Sequence, residues 1–516
     1  MTEIMSHTPD CPVSTTILRQ QLHEQVDHIA DFCENCDGRF RAFEAQLLGL
    51  VWGLGRLFVA LFLLARHQRL QKQTPHYPGY RLFPELLSRK LQTPFGEVRY
   101  RRAYWIRRQG GGGFHPLDAE LGLTRDGFSP RVISLACRLA TYLSYAKVTL
   151  VLEAFWGWSP STETVEQWVL GVARQGSAYM ASSPPLPEAD GEVLVIGVDG
   201  KAVPTATAEE LQKRRGPRKH KAKCGCGCQR HRGQARRRGP QGSGKARKKR
   251  RAKGDKRKNG RSATLVAVYT LRRGADGKLH GPINKRVWGS FGPRKAMLAW
   301  VRAEAARRGF GPGTTRRIQM VMDGEKCFAQ RLRRLFRKAI LTLDIRHVEE
   351  KLWHAGGAFH REGSAELAAW VEELRTLLYG RGGKALVARI RELRGQIACR
   401  GPGTKRRRAV LDKLLGYLEP RTKMMRYRKW LKEDLVIATG VIEGAVRYVI
   451  GERMDCSGMR WIKGKGEAIL HLRCIEVNGL WDDYFAWCHD RWCEQLDQKQ
   501  AVQIRTDKPL ELSEVA

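Results

Sequence analysis

Negative charge is in short supply. The 516 residues hold 52 Asp+Glu against 93 Lys+Arg, a formal net charge of +41. That imbalance exceeds what solubility requires and disfavours a surface made for cationic partners; the expected partner is a polyanion, nucleic acid before membrane. A disulfide framework is missing too. The 13 cysteines are odd in number and scattered, and the opening MTEIMSHTPD has no apolar core of the kind a signal peptide needs. Reduced thiols in a cytosolic setting are expected. Long apolar runs are equally scarce. The one membrane-like stretch, AQLLGLVWGLGRLFVALFLLAR at 45–66, carries Arg56 near its middle. A mid-membrane arginine costs about 3 kcal/mol, so this segment reads as a buried or dimerising helix and no membrane partner is expected.

What is present divides into segments. Apolar residues from Leu47 to Leu61 recur at helical spacing within a helical region over 17–75. TPFGEVRYRRAYWI then alternates apolar and basic residues ahead of the glycine-rich RRQGGGGFHPLD, a small β element. Helical periodicity returns over 130–176. There YAKVTLVLEAFW, a turn at Gly157–Pro160, and a second helix from about Ser161 to Arg174 fit either a helix-turn-helix or a plain helical hairpin. Glu163 and Glu166 do not favour a DNA-reading face.

The decisive part follows. VLVIGVD (193–199), ATLVAVYTL (263–271) and RVWGSF (286–291) read as strands, and RKAMLAWVRAEAARRG (294–309) as a helix. RIQMVMD (317–323) and AILTLD (339–344) are strands separated by a helix, and the chain turns helical from His347. The order β-β-β-α-β-α-β-α is that of an RNase H-like domain, an α/β fold whose mixed sheet is flanked by helices and carries functional groups at strand ends. Two insertions interrupt it. Lys213–Arg261 holds 23 Lys+Arg and one acid, Asp255, a net +22; it cannot pack and reads as disordered, either a DNA-tracking arm or a nucleic-acid sponge of little specificity, with Arg247, Lys248, Lys249, Arg250 and Arg251 at its densest point. Residues 348–433 form an amphipathic helical insertion whose apolar set includes Trp353, Trp370, Leu374, Leu378, Val387, Ile390, Leu411, Leu414 and Leu415.

The expected organisation is therefore a helical region with a possible oligomerisation role at 1–85, the small β element at 86–128 and a helix-turn-helix-like DNA-binding region at 129–190. The RNase H-like domain takes 191–347 plus 434–480, interrupted by the basic insertion at 205–262 and the helical insertion at 348–433. A C-terminal helix and tail occupy 481–516.

Carboxylates fall where such a sheet would use them. Asp199 ends the first strand, Asp323 ends the fourth, and Glu443 lies on the helix after the second insertion. The first and fourth strands of an RNase H-like sheet are neighbours, so the three can converge on divalent cations that serve phosphodiester chemistry. Each also has a plain explanation: Asp199-Gly200 as a hairpin turn, Asp323 as a helix cap, Glu443 as the partner of Arg447. Asp344, which ends the fifth strand next to His347, competes with Asp323, and strand order ranks it second. CGCGCQRH (Cys224 to His231) lacks the CxxC spacing of a zinc knuckle, Cys33 and Cys36 have no second pair at a suitable distance, and CHDRWC (488–493) sits in a Trp-rich helix, so structural Zn2+ is not expected.

These pieces together resemble the DDE transposases of bacterial insertion sequences, specifically the ISKra group, over roughly residues 40–490. The segments that carry the resemblance are TPFGEVRYRRAYW with PLDAELGL, VDGKAVP, MDGEKC with LDIRHVEEKLWHA, and VIEGAVRYVIGERMDCSGMRW with GEAILHLR and NGLWDDY. It implies Asp199, Asp323 and Glu443 as the metal-binding triad, Mg2+ (replaceable by Mn2+) as cofactor, and Asp344 and His347 as auxiliary groups. It also implies hydrolysis at transposon ends followed by strand transfer into target DNA. Arg453, Arg460 and Trp461 become contacts to DNA ends or packing that orients the Glu443 helix. Partners would be double-stranded transposon ends and target, bound by at least a homodimer in the bacterial cytoplasm near the nucleoid. A nuclease or resolvase without strand transfer, and an inactive DNA-binding derivative, stay open. The chain departs from the family in having RRQGGGG where relatives carry a cysteine-based zinc ribbon, and in the length of its basic insertion.

Overall fold

The computed structural model describes residues 14–73, 76–182, 184–209, 211, 260–311, 313–324, 326–456 and 459–505. Arg247 to Arg251 and the Cys224 to His231 motif lie outside them. The chain forms two units, one from residues 1–179 and 479–516, the other from 180–478.

The first unit opens with two helices, Thr15–Asn35 and Phe40–Lys72, where the sequence reads as one helical region. The Ser14 hydroxyl accepts from the Thr16 amide at 3.1 Å to start the first, and the chain turns between them at Cys36–Arg39. The long helix lies against a hairpin of β2 (Leu87–Thr93) and β3 (Gly96–Arg102). Leu91, Val98 and Tyr100 from the hairpin bury with Leu18, Ala60, Leu63 and Leu117. Gly55 makes that approach possible, because a Cβ there would stand 2.3 Å from the Phe95 ring. Arg56, the charge that interrupts the apolar run, donates from Nη1 to the Phe95 carbonyl at 2.9 Å. Leu48, Val51, Phe58 and Phe62 on the same helix stay exposed, and Phe40–Lys72 is long and apolar enough to cross a membrane.

A second small sheet, β1 (Tyr80–Leu82), β4 (Trp105–Arg107) and β5 (Gly113–Phe114), continues from the hairpin. Asp118 of the PLDAELGL segment ties the β region together. It receives Arg89 at 2.6 Å, Arg102 at 2.7 Å and the Tyr100 hydroxyl at 2.7 Å, all from the TPFGEVRYRR hairpin or the strand before it. The helices Tyr145–Trp156 and Thr162–Ala173 meet at Gly157, whose φ of 72° is the left-handed conformation glycine tolerates. Ser161 accepts from the Thr164 amide at 3.1 Å and caps the second.

The second unit is α/β, with a five-stranded mixed sheet. β6 (Val193–Pro204), β7 (Gly260–Arg273), β8 (Leu279–Ser290), β9 (Arg317–Met322) and β10 (Ile340–Leu343) lie in the order β10-β9-β6-β7-β8. β9 is parallel to both β6 and β10, while β6, β7 and β8 run antiparallel. The first and fourth strands are thus neighbours. VLVIGV is a near-continuous apolar run because both faces of β6 are covered: Val193 to Val198 are all buried. Helices Arg294–Arg307 and Lys326–Leu335 connect β8 to β9 and β9 to β10.

One expectation is corrected here. Asp199 does not end its strand at a turn. β6 runs on to Pro204, with Asp199 opposite Leu265 and Pro204 opposite Gly260 on β7, while pairing with β9 stops at Val198–Met322. Asp199 therefore stands at the first step where β6 loses one neighbour and keeps the other.

The helical insertion begins with Ile345–Gly356 and continues through Ala365–Arg381, Gly383–Gly395, Thr404–Leu418 and Tyr427–Lys432. Leu374, Leu378, Leu386, Ile390, Leu411 and Leu418 form its interior. Trp353 does not join them: it is 45% exposed, because Val348, Leu352 and Ala355 occupy the inward face of its helix. The chain returns to the sheet through Gly440–Ala445, a π-helical stretch Val446–Gly451, and Glu452–Met454. The helix Lys463–Val477 then packs on β8, fixed by Asn478, whose side chain exchanges hydrogen bonds with the Val287 amide at 2.8 Å and carbonyl at 2.9 Å.

Candidate metal-binding site

Four acids and a histidine gather at the C-terminal ends of the parallel strands. Asp323 follows β9 directly, one position past the Met322 that pairs with Val198, so it and Asp199 occupy equivalent steps on neighbouring strands. Both line a cavity of about 100 Å3 together with Thr264 and Arg294. Asp344 follows β10; its amide donates to the Met322 carbonyl at 2.9 Å. It is the N-cap of the Ile345–Gly356 helix, accepting from the Arg346 amide at 2.8 Å. His347 sits one turn into that helix.

Glu443 arrives on a helix that packs against β6 and β7, and a glycine admits it. A Cβ on Gly197 would come within 3.2 Å of Ile442, so the bare backbone at that step of β6 lets the Gly440–Ala445 helix settle against the sheet. Thr439, just before that helix, is buried and donates its hydroxyl to the Asp344 carboxylate, lying 3.4 Å from Glu443 Oε1. One ligand atom each from Asp344, His347 and Glu443 falls within 4.8 Å of the others, so this group could hold a metal ion.

The electrostatics bind the whole set together. Burial is the largest influence on Asp199 and raises its pKa; the Gly200 amide at 2.6 Å and His347 oppose that, and the negative charges of Asp323 and Glu443 add to it. Asp344, fully buried, is pushed up to about 7, again first by burial, with Glu443 contributing and the Arg346 amide and His347 resisting. Several carboxylates facing each other is the condition a divalent cation relieves, and two carboxylates with an imidazole offer oxygen and nitrogen donors to one.

The insertion reaches back to the site. Tyr417 donates its hydroxyl to the Asp323 carbonyl at 2.7 Å, and Arg421 donates from Nε to the Gly324 carbonyl at 2.8 Å while lying over the Tyr417 ring at 4.4 Å. Lys351 also sits over that ring, at 4.3 Å. Tyr427 bonds the Leu343 carbonyl at 2.8 Å. Two strand ends are thereby held from outside the sheet.

Of the sequence-predicted residues, Asp199, Asp323, Glu443, Asp344 and His347 are brought to one place. Arg460 is exposed, whereas Arg453 and Trp461 are buried against each other, the guanidinium 4.9 Å over the indole. Trp461 Nε1 donates to the Met454 carbonyl at 3.0 Å, and its amide to the Pro204 carbonyl at 3.0 Å, which anchors the segment after the Glu443 helix to the end of β6. Cys33 is exposed and Cys36 half-buried on the first unit; Cys493 lies 3.8 Å from His489 on the last helix. Sequence reasoning missed Gly197, Thr439, Tyr417 and Arg421. A lone glycine inside the apolar run VLVIGV was a readable sign of close approach; nothing local marks the other three.

No family model matches the chain, and no curated protein does. Among solved structures, the Drosophila P element transposase strand transfer complex aligns over 69% of this chain and 94% of that chain, at 11% identity and a TM-score of 0.29. A score that low carries neither fold nor activity from one protein to the other.

Proposed function

We propose that the second unit is an RNase H-like catalytic domain and that the protein is a DDE-type DNA transposase, a polynucleotidyl transferase that hydrolyses a phosphodiester at an element's end and joins the freed 3′ hydroxyl to target DNA. The observation that carries this is the convergence of Asp199, Asp323 and Glu443 on the ends of adjacent parallel strands, coupled to one another and to Asp344 and His347.

Asp199, Asp323 and Glu443 would hold Mg2+ or Mn2+. Such ions lower the pKa of an attacking hydroxyl and neutralise the departing oxygen in an in-line displacement at phosphorus. The chain's own part is positioning. Gly197 sets the depth of Glu443, Tyr417 and Arg421 fix the Asp323 loop, and Thr439 holds Asp344 against Glu443. Hydrolysis and joining each exchange one P–O bond for another, so one arrangement of carboxylates serves both. The net charge of +41 supports duplex DNA as the partner.

A second composition of the site has its own support: Asp344, His347 and Glu443 are the three whose ligand atoms lie closest together. Metal-dependent cleavage and joining of duplexes bearing the element's ends, with Asp199→Ala, Asp323→Ala, Asp344→Ala and Glu443→Ala beside the wild type, separates the two. Loss in the first, second and fourth with survival of Asp344→Ala supports the DDE assignment. Survival of Asp323→Ala with loss of Asp344→Ala moves the site one strand over. Cleavage without joining points to a nuclease, and binding without either reaction overturns the proposal.

A further inference from the structure

The insertion carries a basic channel. A cavity of about 730 Å3 is lined by Arg381 and Lys384 at the turn between two helices, and by Lys423, Arg426, Arg428, Lys429 and Lys432 from the segment that closes the insertion. Seven of its thirteen lining residues are Lys or Arg and one, Glu433, is acidic. A neighbouring cavity of about 510 Å3 shares Lys423, Arg426, Lys429 and Glu433 and adds Arg317 and Arg333. The two form one continuous cationic track. Glu433 is already answered by Arg317 and, at 3.8 Å, by Lys429, leaving the other cations without a carboxylate among the lining residues.

We propose that this channel holds the sugar-phosphate backbone of duplex DNA at a second place on the catalytic unit. Its cations are exposed, as phosphate contacts require, and its one aromatic, Trp430, is buried and offers no face to a base. The position defines the register. Arg317 begins β9 and Asp323 follows its end; six residues at about 3.3 Å each span about 20 Å, or about six base pairs at 3.4 Å per step. A duplex laid along β9 from the acids would meet Arg317, in the second cavity, about six base pairs away; that distance, though not the binding itself, rests on the transposase reading.

The test compares two charge-neutralised proteins by DNA affinity at rising salt, with no metal present. One carries Arg381→Gln, Lys384→Gln, Arg428→Gln and Lys432→Gln. The other carries Arg302→Gln, Lys405→Gln, Arg406→Gln and Lys413→Gln, four exposed cations of the same unit away from the channel. Each lost phosphate contact lowers the slope of log affinity against log salt by about 0.9, so the channel variant should lose about 3 to 4 and the control less than about 1. Equal changes in both variants overturn the proposal. Because no metal is added, a protein that binds through the channel yet never cleaves leaves this inference standing while the transposase reading fails; one that cleaves and shows equal slopes does the reverse.

Discussion

Replacing the Asp344 carboxyl by an amide should abolish a pH dependence that the metal-free protein carries between about pH 4 and pH 7. Asp344 is buried and pushed up to about 7 from an ordinary 3.8. At about 1.4 kcal/mol per pH unit, that interval sets a ceiling of about 4 kcal/mol. It is a ceiling because Glu443 shares the effect. The sign is fixed by proton count: over this range the folded chain keeps a proton that the unfolded chain has released. Stability is complete below about pH 4 and declines as pH rises to 7. Asp344→Asn keeps an Oδ1 that can accept from the Arg346 amide and an Nδ2 that can donate to the Thr439 hydroxyl oxygen, but has no proton to lose, so its curve should stay flat relative to the wild type. Urea unfolding of both proteins at pH 4, 5, 6 and 7 with a chelator present reads the difference. Adding Mn2+ at pH 7 should then restore the wild type by about 2.7 kcal/mol at a hundredfold excess over the dissociation constant, and the variant by less. A wild-type-minus-variant difference that does not change with pH would refute the account of a carboxyl kept protonated by burial and Glu443.

Other expected outcomes are more local. Tyr417→Phe removes one hydrogen bond, about 1 kcal/mol, while leaving the ring on which Arg421 and Lys351 lie; turnover should fall several-fold and favour Mn2+ over Mg2+, with DNA affinity unchanged, and equal turnover in both metals at the wild-type rate would dismiss the clamp on Asp323. Gly197→Ala pushes a methyl against Ile442 and should cost about 1 to 3 kcal/mol, weakening Mn2+ affinity measured by calorimetry; unchanged metal affinity would show that Glu443 does not depend on that approach. Asp118→Ala strands Arg89 and Arg102, both nearly buried, and should destabilise the first unit by about 3 to 5 kcal/mol in denaturant titrations.

The succession of strands was readable because each announced itself by composition and the last two were each preceded by a helix of the other period. The same apolar run that identified β6 also misplaced its end. The apolar run stops at Asp199, and the pairing of Gly200, Lys201 and Ala202 with β7, a strand some sixty residues away, leaves no mark on the local sequence. Asp323 and Asp344 both looked like strand ends and both are; what the sequence could not supply was Thr439, a residue ninety-five positions from Asp344 that bonds its carboxylate. Glu443 was legible as an acid on the returning helix, but its depth depends on a missing side chain at Gly197. The grip of Tyr417 and Arg421 on the β9 loop crosses more than ninety residues, and only the folded insertion brings them there. Trp353 was assigned to the interior by its apolarity, and helix phase decided otherwise.

The long ribbon of β6 and β7 bears on how this chain can carry so much charge. Pro204 and Gly260 face each other across it, so everything between them is, topologically, the loop of one hairpin. Closing such a loop costs entropy that grows only with the logarithm of its length, about 0.6 kcal/mol for each doubling. The segment 205–259, with 22 Lys+Arg against Glu209, Glu210 and Asp255, a net +19, could therefore lengthen, shorten or change its composition across generations while the register beside Asp199 stays as it is. The charge of that segment and the geometry of the acids can therefore vary independently of one another.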